Sequence, residues 1–158
     1  MRKKTATSLP KQKSKSVFEA PTANDKRALA DSGILSQGLL LGPDKELYRS
    51  AFSIQELNAL ASNLYLLQPG VHLGRVIRSD FNPAHACALS QDEVFPLEPV
   101  ELNEQLALAY LRGESISFDA PNGWQRVAFG GAVLGWVKVI GHRINNYYPK
   151  DWRVKIKE

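Results

Sequence analysis

A single cysteine, Cys87, stands in this 158-residue chain, which excludes an internal disulfide and any zinc site built from several cysteines of the same chain. No stretch approaches the roughly 18 consecutive apolar residues that a membrane-crossing helix requires. The first residues are polar rather than a charged stub followed by an apolar segment, so no secretory leader is expected either. Glycine-rich phosphate loops, a GxSxG nucleophile elbow and an HExxH zinc helix are also missing. These absences point to a soluble, cytoplasmic protein without catalysis, cofactor, metal or membrane partner of its own.

What is present is enough for one folded unit, since 44% of the residues are hydrophobic. The formal net charge of +4 is unevenly spread. Residues 1–27 carry eight Lys/Arg against two acids, residues 28–125 five against twelve, and residues 126–158 seven against two. Two basic ends around an acidic middle suit contact with nucleic acid phosphates; the plainer alternative is that a basic end simply keeps the chain soluble.

Residues 1–30 are rich in Lys, Ser and Thr and lack apolar periodicity, which predicts a disordered basic arm, with order starting between Ala28 and Gly38. Residues 31–66 form an N-terminal subregion. Here Gly42, Pro43 and Asp44 turn between two short extended pieces, and the SIQE sequence predicts a helix capped by Ser53 and Glu56. From residue 67 onward, NLYLLQPGVHLGRVIRS reads as two strands about a Pro69–Gly70 turn, the first beginning at Asn63, and FNPAHACALS as a short helix capped by Asn82. The clearest helix lies in LEPVELNEQLALAYLRGES, with Leu102, Leu106, Ala109 and Tyr110 at helical spacing and Gly113 as its left-handed stop. SISFD, GWQRVAF and AVLGWVKVI are strand candidates, the last two joined through Gly130–Gly131. The order predicts an α+β domain, residues 67–158 curling into a small β-barrel with two or three short helices in the chain.

His85 and Cys87 lie two apart, a spacing at which helical side chains do not face each other, so neither a nucleophile pair nor half a metal site is expected. Cys87 reads as a small core residue, and His85 as a boundary histidine whose ring nitrogen holds a backbone group. His72 and His142 show no ligand spacing. The richest stretch is GWVKVIGHRINNYYPKDWR. Alternation places Lys138 beside Leu134, Trp136 and Ile140, so its ammonium must reach a rim. His142, Arg143, Asn145, Asn146, Tyr147, Tyr148, Lys150 and Arg153 follow within a few positions. Cations engage phosphates, amides read base or sugar edges, and tyrosines stack on unpaired bases, a set suited to irregular or single-stranded RNA. The structural alternative is that Tyr147, Tyr148 and Trp152 merely cap one end of a barrel, with Pro149 fixing the turn.

LQPGVHLGRVIRSDFNPAHACAL, AYLRGESI and VLGWVKVIGHRINNYYPKDWR, in that order, resemble the C-terminal region of the RsmF-type branch of the Sun-family RNA cytosine-5 methyltransferases. The resemblance covers residues 37 to 153. It implies a PUA-like RNA-binding domain, with ribosomal RNA as partner, normally appended to a methyltransferase that uses S-adenosylmethionine. By the same resemblance Lys138, Arg143, Asn146, Tyr148 and Lys150 are the leading RNA contacts. His142, Tyr147 and Arg153 fall in the same stretch, and Arg75, Arg78 and His85 match the earlier elements, lying beside the contacts or holding the fold. Val137 departs from the small residue of the pattern, and Asp151–Trp152 from its glycine-leucine pair. The catalytic half and its two cysteines have no counterpart here. Three readings follow: a stand-alone RNA-binding module, the RNA-binding part of a split methyltransferase whose catalytic chain is another protein, or a ribosome- or protein-interaction domain.

Overall fold

The computed structural model describes residues 17–34, 37–90, 95 and 97–155. Most of the predicted arm, residues 1–16, lies outside them. Its last part is ordered, earlier than the sequence suggests: α1 spans Ala23–Asp31 behind a capping box in which Thr22 Oγ1 accepts from Asp25 N–H and the Asp25 carboxylate accepts from Thr22 N–H. The helix escapes a periodicity search because only Ala28 and Leu29 of its nine residues are buried. Ahead of it, Phe18 is buried against Leu40 and Leu57, and the Asn58 amide fixes its backbone by accepting from Val17 and Phe18 N–H and donating to Phe18 C=O.

Among the described residues, eight strands and four short α-helices give the expected α+β class, but the strands form two four-stranded sheets and no barrel closes. The first sheet is antiparallel, in the order β1 (Leu39–Leu41), β2 (Glu46–Arg49), β3 (Val71–Ile77), β4 (Asp80–Pro83). Its β2–β3 pairing joins strands from either side of residue 66. The second contains β5 (Val100–Glu101), β6 (Gly123–Phe129), β7 (Ala132–Ile140) and β8 (Arg143–Asn146), with β5 parallel to β6 and the others antiparallel. Gly130 and Gly131, with φ of +58° and +78°, make the tight β6–β7 turn for which a side chain at both positions would be unfavourable.

The predicted Ser53 box caps α2 (Ile54–Ala61) as expected. Asn103 caps α4 (Glu104–Arg112), and Gly113 ends it in the left-handed region at φ +75°. Three strand and cap assignments require correction. Residues 63–68 and 115–119 are not strands and join neither sheet. Asn82 and Pro83 belong to β4, so α3 (His85–Leu89) starts after Ala84 with no side-chain cap.

A shared core joins the two sheets. Ala28 and Leu29 of α1, Cys87 and Ala88 of α3, Leu47, Leu73 and Phe81 of the first sheet, and Trp124 and Trp136 of the second share one core. Tyr110, Ala107, Val127, Val137 and Val139 form another on the opposite face of the second sheet, beneath α4. Thus β7 is buried on both sides: Trp136 enters one core while Val137 and Val139 enter the other. That explains why its sequence is almost wholly apolar. No helix among the described residues is long and apolar enough to cross a membrane.

Candidate nucleic-acid interface

The end of α4 organises the region richest in cations. Gly113 has no side chain, and Arg153 packs over it: an added Cβ would lie 2.2 Å from the arginine Nε. Val154 N–H donates to Leu111 C=O at 3.0 Å, holding the C-terminal segment against the same helix end. From β8, Asn146 Nδ2 donates to the carbonyls of Tyr110 (2.9 Å) and Glu114 (3.1 Å), while its Oδ1 accepts from Tyr148 N–H at 2.9 Å. These ties leave an open groove of about 690 Å³ between the α4 exit at Gly113–Ile116 and the run His142 to Tyr147. His142 and Arg143 are exposed on it. Arg112 lies 3.9 Å from Glu114, and the Nε atoms of both Arg112 and Arg153 are buried without a hydrogen-bond partner among the described residues. The negative end of a helix dipole suits such arginines.

An aromatic relay adjoins the groove. Tyr147, 45% exposed, sets its ring 4.6 Å from that of Trp124 at 70°. Lys138 stands opposite Trp124 in the β6–β7 register, with Nζ 5.1 Å from the indole centroid. Trp124 is itself fixed by donating to Phe81 C=O at 2.9 Å. On the other side, Tyr148 is half-buried between His85 (5.6 Å) and Tyr110 (5.3 Å), and Trp152 meets the His85 ring at 5.1 Å. Tyr110 is fully buried and donates its hydroxyl to Trp136 C=O at 3.1 Å. Burial first, and the neighbouring Tyr148 second, push the Tyr110 phenol far up, so it stays protonated as that donor.

His85 differs from its expected role. Its Nδ1 is buried and holds no backbone group; among the described residues it has no hydrogen-bond partner. Desolvation lowers its pKa, favouring the neutral ring that packs between Tyr148 and Trp152. Gly135 supplies the space beneath it, since an added Cβ would meet Tyr110 Oη at 2.4 Å and His85 Cε1 at 2.6 Å. Cys87 is core, as expected, and burial raises its thiol to about 12. A thiol held neutral and covered should resist alkylation: iodoacetamide is expected to label Cys87 quickly only after denaturation, with intact-mass spectrometry reading the difference.

The predicted residues therefore fall into distinct places. His142, Arg143, Asn146 and Tyr147 line one groove, with Arg153 at its helix end. Lys138 instead lines a neighbouring cleft of about 480 Å³ with Asp31, Asp80 and Trp124, linked to the groove through the Tyr147–Trp124 contact. Lys150 is exposed on a single 3₁₀ turn, Lys150–Trp152. Arg75 pairs with Glu46 in the first sheet, the same carboxylate that meets His72 Nε2 at 2.6 Å. Arg78 sits in the β3–β4 turn at φ +61°, its carbonyl accepting from Asn24 Nδ2. By sequence Arg112 is a helix-end cation and neither it nor Trp124 a candidate contact; the Arg112–Gly113 helix end is the available sign of the first, whereas the second becomes visible only once β6 and β7 are paired.

Residues 98–154 match the family model of the methyltransferase RsmF PUA domain. The chain is 27% identical over 118 residues to the ribosomal RNA small subunit methyltransferase F of Shewanella loihica, and 23% identical over 149 residues to the protein of the same name from Shewanella piezotolerans. These alignments cover 73% and 90% of this chain but only 23% and 31% of the two relatives, so the chain spans about a quarter to a third of their length. The family match begins just before β5 and ends beside Arg153, taking in α4, the second sheet and the groove at its edge. This part of the chain is similar to the PUA domain of RsmF-type proteins.

Proposed function

We propose that this chain is a non-catalytic RNA-binding module for small-subunit ribosomal RNA, and that the groove between the α4 exit and β8 is where the polynucleotide lies. The observation that carries this reading is the convergence of exposed His142 and Arg143 and half-exposed Tyr147 on one open, polar groove within the RsmF-type PUA match, with Arg153 packed over Gly113 at its edge. Arg143, Lys150, Arg153 and Lys138 engage phosphates, Tyr147 offers a ring to an unstacked base, and His142 contacts sugar or base edges. Asn146 and Tyr148 act from behind, as ties that hold the groove. Arg75 and Arg78 belong to the first sheet and add to the basic surface.

If four cations each neutralise one phosphate, log affinity should fall against log salt with a slope of roughly −3 for single-stranded RNA. Fluorescence anisotropy with a small-subunit ribosomal RNA fragment across a salt series measures it, and binding indifferent to salt would refute the proposal. The purified chain incubated with S-adenosylmethionine and the same RNA should transfer no methyl group. A second reading rests on the relatives' being named methyltransferases: the chain is the RNA-gripping part of an enzyme whose catalytic portion is a separate chain. Affinity capture that recovers an S-adenosylmethionine-binding protein, together with restored methyl transfer, would establish that arrangement.

A further inference from the structure

At the far end of β2 the first sheet carries a feature outside the PUA match. Arg49 lines an open cleft of about 490 Å³ whose other walls include Ser50, Phe52, Gln68 and the Pro69–Gly70 turn. Arg49 is half-buried, and its Nη1 is shut off from solvent with no hydrogen-bond partner among the described residues. A buried cationic donor without an acceptor is unfavourable, and no carboxylate lines the cleft to compensate it. An anion in the cleft would meet the cationic side chain that lines it, and a planar guanidinium suits a phosphate.

The walls are preformed. Ser50 Oγ donates to Pro69 C=O at 2.7 Å and accepts from Phe52 N–H at 3.2 Å, which ties the loop after β2 to the turn before β3. Gly70 lies against the backbone of Arg49 so closely that a Cβ there would come within 2.1 Å of the Arg49 carbonyl oxygen. The loop so fixed leaves Phe52 57% exposed, with the exposed amide of Gln68 on the same cleft. An aromatic ring held open to water beside an uncompensated cation and an amide has the complement of one unpaired nucleotide: base on the ring, base edge on the amide, phosphate on the guanidinium.

We infer that this cleft is a second RNA contact, taking one phosphodiester at Arg49 and an unpaired base on Phe52. The inference rests on the RNA-binding reading above but places part of the footprint on the first sheet. The test is fluorescence anisotropy with a fluorescein-labelled RNA that carries a hairpin and single-stranded flanks, comparing Phe52→Ala, Gln68→Glu, Arg49→Gln and Arg49→Lys. Phe52→Ala should weaken binding about tenfold, the loss of one stacked base, without changing the salt slope. Arg49→Gln should make the slope shallower by about 0.7, and Arg49→Lys should restore it. Should Arg49→Gln lose its far-UV CD signal, Phe52→Ala and Gln68→Glu decide, as both sites are exposed. Ultraviolet crosslinking of the unaltered chain should also yield an RNA adduct on the peptide bearing Phe52. If Phe52→Ala and Gln68→Glu bind normally and no such adduct forms while charge reversal at Arg143 and Lys150 abolishes binding, the second contact is wrong and the groove stands. If the unaltered chain binds no RNA, both fail together.

Discussion

Gly135→Val should lower the melting temperature by about 10 °C. The new Cβ would lie 2.4 Å from Tyr110 Oη and 2.6 Å from His85 Cε1, and neither neighbour can retreat easily. Tyr110 is fully buried with its hydroxyl engaged by Trp136 C=O, and His85 is hemmed in by Tyr148 and Trp152. Gly135 also has φ of +151°, a conformation that side-chain-bearing residues rarely adopt. Overpacking costs about 1–3 kcal/mol and the backbone strain a comparable amount, so the combined loss is about 4 kcal/mol. For a chain of this size each kcal/mol shifts melting by about 2–4 °C. Thermal unfolding followed by circular dichroism measures the change. Gly130→Asn is the matched control: Gly130 also has positive φ, but nothing lies within 4 Å of a Cβ there, and asparagine tolerates that region. A melting temperature for Gly135→Val equal to that of the control would show that the contacts beneath His85 are looser than described.

Reversing charge at Arg143 on the groove and at Lys150 on the following 3₁₀ turn should act on binding and leave folding alone. Arg143 and Lys150 are exposed and neither forms an ion pair or side-chain hydrogen bond among the described residues, so Arg143→Glu with Lys150→Glu removes nothing that supports the fold. The double variant should bind RNA about a hundredfold more weakly at low salt, with a slope shallower by about 1.4, two phosphates at about 0.7 each. Its far-UV CD spectrum and melting curve should match the parent. Undiminished RNA binding would move the interface away from this groove, and loss of a protein partner without loss of RNA would favour the protein-interaction reading.

Features set by neighbouring residues were readable in advance. The Ser53–Glu56 box, the Gly113 helix stop and the Gly130–Gly131 turn each depend on a few consecutive positions, and each forms as anticipated. The Thr22–Asp25 box is equally local, yet α1 went unrecognised because its buried side is so short. Within the candidate interface the residue types were legible and their roles were less so. Asn146 reads as a base-edge amide, but its partners are carbonyls 36 and 32 positions earlier in the chain, and nothing local to NNYYP announces them. Tyr147 and Tyr148 are adjacent in sequence; one is left partly open against Trp124 and the other sinks between His85 and Tyr110. Lys138 also needed tertiary information, because its cleft is completed by α1 and β4.

The placement of β7 has a thermodynamic consequence. With Trp136 committed to one side and Val137 to the other, the strand is a party wall between two rooms, and neither can be emptied while the other keeps its furniture. The sheet that bears the candidate interface and the sheet that precedes it thus form one cooperative unit, and damage to either reaches both.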